Sequence, residues 1–262
     1  MANELLNARN VTIRFGGLTA VADFNLAIQP HELIGLIGPN GAGKTTVFNM
    51  LTGVYKPTDG TIEVSGVPTG KLKPFDITAL GVARTFQNIR LFKDLTVLDN
   101  VKIGGHIHYK YSVTSAVLHT NRFQEAERVA EDDAMRLLSI FGLQSRAQFL
   151  AKNLPYGDQR RLEIARALAA RPKLLLLDEP AAGLNDRETH DLMNTIHDIR
   201  DRFDIAILLI EHHMELVMGI CERIIVLNFG KTISQGAPSY VRNDPVVIEA
   251  YLGEPADDAT MI

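Results

Sequence analysis

LIGLIGPNGAGKTTVFNML, residues 33–51, decides the fold. LIGLI is an unbroken apolar run, as expected of a strand buried on both faces, and TTVFNML carries a helical pattern. Between them residues 38–46 match G-x-x-x-x-G-K-[ST], in the strand-loop-helix setting that a phosphate-binding loop requires. Its glycines let backbone N–H groups converge on phosphate oxygens, and the following helix N-terminus adds a favourable dipole. Gly38, Pro39, Asn40, Gly41, Ala42, Gly43, Lys44, Thr45 and Thr46 are therefore the expected nucleotide-binding residues. Lys44 would reach the β- and γ-phosphates and the Thr45 hydroxyl would ligate Mg²⁺.

A second apolar strand, KLLLLDEP at 173–180, ends in two acids. At the carboxyl edge of a sheet such acids reach a metal and a reacting water, so Asp178 is expected to hold Mg²⁺ and Glu179 to polarise the water. Working outward, Val11, Ile13 and Phe15 alternate with polar residues, as do Phe24, Leu26 and Ile28, predicting two opening strands. Further strands are expected at 61–65, 82–86, 205–210 and 223–228, several of them separated by helical patterns. Over 93–170 helices take over. FQEAERVAEDDAMRLLSIFG reads as a helix closed by Gly142, and near 158–170 Leu162, Ala165, Leu168 and Ala169 share one face while Arg160, Arg161 and Glu163 are expected to point outward. The expected fold class is an α/β P-loop NTPase (RecA-like) core with N-terminal antiparallel β strands and an inserted helical subdomain. Its parts are 1–92, 93–170, 171–254 and a short tail, 255–262.

Composition narrows the function. With 27 Lys and Arg against 31 Asp and Glu, the net charge is −4 and no basic cluster stands out, which argues against bulk capture of nucleic acid or an anionic bilayer. Cys221 is the single cysteine, so an intrachain disulfide is impossible and a reducing, cytosolic compartment is expected. The longest apolar runs, 174–177 and 205–210, fall far short of the roughly 20 residues of a membrane helix. His106 and His108 lack a nearby Cys or acidic ligand, so no metal site is expected there.

Taken together, these segments resemble the ATP-binding subunits of ABC transporters in motif order over almost the whole chain. The resemblance makes the phosphate loop Walker A and the acidic strand Walker B, and it places Gln87 of RTFQ at the Q-loop, facing Mg²⁺ and water. LPYGDQRRLEIARAL, 154–168, stands where that family has its signature loop, so Leu154, Pro155, Tyr156, Gly157 and Asp158 are implied to meet the ATP of a partner subunit. AAGLN, 181–185, resembles the D-loop, His212 stands at the switch histidine, and His213 would begin the next helix. Phe15 has two readings, strand core or, by resemblance, a stacking face for adenine. Ile89, Leu91 and Phe92 likewise divide between core packing and permease docking. ATP and Mg²⁺ are the implied cofactors.

The signature departs from the family pattern. Pro155 replaces the serine, Tyr156 a glycine, Asp158 a glutamine, and Asn185 the D-loop aspartate. Proline offers neither a hydroxyl nor an N–H. Together with RFGGLTAV, RTFQNIRLF, IEHHMELVMG and DPVVIEAYLG, these features resemble the ATPase of branched-chain amino-acid importers, with urea and amide importers as near relatives. The resemblance implies a second, non-identical ATPase subunit, two membrane permeases, an extracytoplasmic solute-binding protein, no nucleic acid, and a peripheral site on the cytoplasmic face of the inner membrane. A soluble DNA-repair ATPase would need a long coiled-coil insertion, a ribosomal one usually a second cassette, and a GTPase switch an NKxD-like motif. The sequence shows none of these.

Overall fold

The computed structural model describes residues 4–109 and 111–252; the tail expected from residue 255 lies outside the described residues. Two units form, one from the chain up to Val82 and again from Lys173, the other from Ala83–Pro172.

The first unit opens with β1 (Leu6–Phe15), β2 (Leu18–Ile28), β3 (Leu33–Ile37), α1 (Lys44–Leu51), β4 (Asp59–Val64), β5 (Val67–Pro68) and α2 (Pro74–Ala79), and β6 (Val82–Arg84) carries the chain across the boundary. The second unit contains α3 (Val97–Gly104), α4 (Val113–Val117), α5 (Asn121–Ile140) and α6 (Tyr156–Ala169). The chain then returns through β7 (Leu174–Asp178), α7 (Asp186–Phe203), β8 (Ala206–Ile210), α8 (Met214–Ile220), β9 (Arg223–Asn228), β10 (Lys231–Gly236), α9 (Pro238–Arg242) and α10 (Pro245–Leu252).

Four strands make an antiparallel sheet in the order β2-β1-β4-β5, and the other six run β10-β9-β3-β8-β7-β6. Every residue of β3, β7 and β8 is buried, which explains their continuous apolar runs. Phe24 of β2, Phe48 of α1 and Leu36, Leu176 and Leu208 of the parallel strands belong to one core, so the phosphate-loop helix is anchored in the same apolar mass as both sheets.

β1 breaks its own alternation. Its pairing with β2 shifts register between Ala8 and Val11, between Val11 and Ile13, and between Ile13 and Arg14. The first shift places an extra residue in β1, between Ala8 and Val11, whereas the next two place the extra residue in β2. Val11 and Ile13 are buried but Phe15 is 46% exposed, so strand core is not its role.

In the second unit α3, α5 and α6 pack on one another. Gly104 allows a close approach, because a Cβ there would lie 2.2 Å from the Arg166 carbonyl oxygen. This unit begins at Ala83, whereas residue 93 was expected. The reason is that residues 86–90, Gln87 included, are hydrogen-bonded to α6. That contact also overturns the outward placing of Arg160 and Glu163, which are each 1% exposed.

Candidate active site

Parallel register, not chain order, assembles the site. β3 lies beside β8, and β7 lies on the other side of β8; Leu36 pairs with Ile210, and Ile210 with Asp178. Neighbouring strands are about 4.8 Å apart, so the residues that follow them meet at one edge. These are the phosphate loop after Ile37, Glu179 after Asp178, and Glu211 with His212 after Ile210.

The loop's shape demands glycine at two positions. Gly38 has φ +147° and a Cβ there would sit 2.0 Å from the Leu227 carbonyl oxygen; Gly43 has φ +103° and its Cβ would sit 2.9 Å from that of Ala20. Lys44 is buried, and its ammonium donates to the carbonyl oxygens of Gly38 (2.5 Å) and Pro39 (2.9 Å), so the side chain lies back along its own loop. Asn40, Gly41 and Thr45 are exposed.

Asp178 is 2% exposed, while the next residue turns out of the strand. Glu179 has φ +46°, a sparsely populated region for a residue with a side chain, and such strain persists only where the surroundings enforce it. Here its N–H donates to the Ile210 carbonyl at 2.9 Å, and its own carbonyl accepts from the Ala182 N–H at 3.2 Å. The Glu179 Oε1 lies 2.8 Å from His212 Nε2. With the carboxylate as acceptor, that nitrogen carries the proton. His213, exposed, is the N-cap residue of α8.

Glu211 is a member that the sequence reading passed over. Its carboxylate is 2% exposed and accepts three backbone N–H groups, from Ala181 (2.7 Å), His212 (2.9 Å) and His213 (3.2 Å). One side chain thus ties the turn after Glu179 to the segment bearing His212. The available signal was an acid placed directly after the apolar run AILLI. Tyr55 was also missed: its ring meets that of Phe15 edge-on, with centroids 5.2 Å apart. Asn185 accepts from the Glu188 N–H at 3.0 Å while Glu188 accepts from the Asn185 N–H at 3.0 Å, a capping box that starts α7.

In the second unit Gln87 is exposed, and its backbone carbonyl accepts from Arg160 Nη2 at 2.8 Å. Leu91 is buried, Ile89 half-buried and Phe92 48% exposed, so Leu91 leaves the docking candidates for the core. Leu154 is buried and Pro155 is the N-cap residue of α6 without a side-chain cap. Tyr156 is 46% exposed and Gly157 is half-buried. The Asp158 carboxylate pairs with Arg146 and lies 3.6 Å from Arg161. His108 Nε2 lies 2.8 Å from the Ala170 carbonyl oxygen, and among the described residues no group of three or more His, Cys, Asp or Glu is placed to hold a metal.

Residues 21–182 match the family model for ABC transporters, and residues 231–257 match that for branched-chain amino acid ATP-binding cassette transporters. The chain is 49% identical over 254 residues to the high-affinity branched-chain amino acid transport ATP-binding protein LivG of Escherichia coli K12, covering 97% of this chain and 100% of that one. It is 45% identical to BraF of Pseudomonas aeruginosa, of the same description, with the same coverage. The crystal structure of the ADP conformation of MJ1267, an ATP-binding cassette of an ABC transporter, superposes with a TM-score of 0.82 at 29% identity, covering 96% of this chain and 99% of that one.

Proposed function

This chain belongs to the ABC transporter family as an ATP-binding ATPase subunit, and from that premise we propose that it powers import of branched-chain amino acids or a related small polar solute through membrane permeases. The observation that carries the chemistry is the 2.8 Å contact of Glu179 with His212 at the sheet edge that bears the phosphate loop. In this reading the loop N–H groups and Lys44 hold the phosphates, with Lys44 leaving its own loop carbonyls to do so. Glu179 accepts the proton of the attacking water. His212 orients that carboxylate, and Glu211 fixes both chain segments from behind. Phe15, half-exposed beside Tyr55, offers a face for the base.

A hydroxyl and a buried carboxylate, Thr45 and Asp178, are hard oxygen donors that fit Mg²⁺. Mg²⁺, when bound by one or two such groups and the substrate phosphates, supplies charge neutralisation at the β- and γ-oxygens.

Partners follow from the signature. Pro155 has no N–H to donate and the Asp158 carboxylate only accepts, its oxygens facing Arg146 and Arg161, so this chain gives an opposing nucleotide fewer donors than its own phosphate side contains. A non-identical ATPase partner with a fuller signature completes the reading, together with permeases, an external solute-binding protein, and a peripheral place on the cytoplasmic face of the membrane. Among the described residues no helix is long and apolar enough to cross a bilayer.

The test is ATP binding and turnover by the purified chain and by the co-expressed pair. Glu179→Gln should keep ATP affinity and lower turnover about 10² to 10⁴-fold, the usual loss with a general base. Lys44→Ala should lose both. The isolated chain should be slow and the pair substantially faster. Full turnover by the Glu179 variant refutes the base; full activity of the isolated chain refutes the asymmetric pairing.

A further inference from the structure

Three charged residues at spacing of three on α6, Arg160, Glu163 and Arg166, all turn toward residues 86–90. The guanidinium of Arg160 donates through Nη1 to the Phe86 carbonyl (2.8 Å) and to Glu163 Oε2 (3.0 Å), and through Nη2 to the Gln87 carbonyl (2.8 Å) and the Tyr156 hydroxyl (3.3 Å). Glu163 Oε1 accepts the Arg90 N–H at 3.2 Å, and Arg166 donates to the Arg90 carbonyl. The Arg90 guanidinium lies 4.3 Å from the centre of the Phe86 ring. We propose that Arg160, with Glu163 as its buried counter-charge, is a positioning residue that sets the backbone of Gln87 and links it to the signature loop.

Fold stability alone does not require this arrangement. A fully buried ion pair contributes little net stability compared with apolar residues of similar size, because both charges leave water. α6 already packs against α3 and α5. What the charges do satisfy is a stretch without ladder partners: residues 85–90 are neither helix nor strand, so their buried polar groups need other partners. The two carbonyls that Arg160 grips lie on either side of the Gln87 Cα. A planar fork on both oxygens fixes that residue's backbone. The same guanidinium touches Tyr156, the first residue of α6, within the signature loop. Displacement of the signature loop by a partner's nucleotide is thereby passed to this chain's own Gln87. Glu163 accounts for the use of arginine here, since burial pushes its carboxyl pKa up, and the Arg90 N–H, Arg160 and Arg166 act against that burial.

This inference rests on the reading of Gln87 as part of the nucleotide site, so the experiment separates the two. Arg160→Lys keeps the charge beside Glu163, but one ammonium cannot reproduce the fork. In the co-expressed pair its kcat should fall about 10- to 100-fold, the scale of a misplaced catalytic group, with the KM for ATP within about 2-fold. In the full chain, tryptic cleavage after Arg90 should become about 10-fold faster, while the Tm stays near wild type because the pair remains. Gln87→Ala should lower kcat as well, and adding Arg160→Lys to it should produce little further loss. If Arg160→Lys does not fold, Arg160→Met with Glu163→Leu removes both charges at once and carries the same expectations for kcat and for cleavage after Arg90. Unchanged cleavage after Arg90 overturns the clamp. An additive loss in the Gln87/Arg160 double variant, or wild-type kcat in the Arg160 variant where Gln87→Ala is slow, overturns its action through Gln87. If Gln87→Ala itself is fully active, the Gln87 reading falls and with it the transmission, whatever the proteolysis shows.

Discussion

Two buried carboxylates are held in opposite ways. Glu211, at the sheet edge of the first unit, is surrounded by backbone N–H groups from three residues. Glu163, on α6 in the second unit, is held by a guanidinium and one N–H. At the sheet edge, strand register has already brought the chain segments together, and one acid suffices to fasten them. On the helix no ladder fixes the facing segment, so side chains from α6 reach out to its backbone. The difference shows two routes to a defined backbone: main-chain groups gathered around a side chain, and side chains distributed along a main chain.

The comparison breaks most directly at Glu211. Glu211→Leu leaves three N–H donors without an acceptor in a buried place, each worth about 1–3 kcal/mol, so a loss of about 3 kcal/mol or more in urea-unfolding stability is expected. ATPase activity should fall together with stability. A variant as stable as wild type would mean that the carboxylate fastens nothing.

Phe15→Ala tests the proposed base-stacking face, where the side chain is exposed and fold stability is not at stake. ATP and GTP should both bind more weakly, by roughly 1–3 kcal/mol, since a phenyl face does not read base edges. An unchanged dissociation constant in a fluorescent-nucleotide titration would remove Phe15 from the site.

The smallest effect is expected at Asn185, where one side chain closes a capping box. Asn185→Ala should lower stability by about 1 kcal/mol, read as a shift in the urea midpoint without a change in slope. A much larger loss would show that the turn after Glu179 depends on this cap as well as on Glu211.

Sequence reading drew on patterns that are local. The phosphate loop, the acids after LLLL and the histidine after the β8 strand each sit on a contiguous pattern, and the comparisons place the chain in the family these patterns resembled. It failed where a distant segment decides. Periodicity put Arg160 and Glu163 off the apolar face of α6, correctly, but exposure does not follow from that, because residues 86–90 cover the charged face. Alternation likewise grouped Phe15 with Val11 and Ile13, but Phe15 pairs with Leu18 at the turn end of β1, where it is 46% exposed.

By itself the sequence determined the strand-loop-helix that carries the phosphate-loop pattern, the order of the motifs along the chain and the helical texture of the middle. Each depends on neighbours within about two turns of helix or one strand, over which residue type dictates conformation. Only the tertiary structure decided that β8 lies between β3 and β7, which brings Glu211 and His212 to Glu179, and that α6 grips Phe86 and Gln87. Those contacts join residues 33 and about 73 positions apart, and pairing at that range is set by which surfaces the whole fold buries together, a quantity absent from any local pattern.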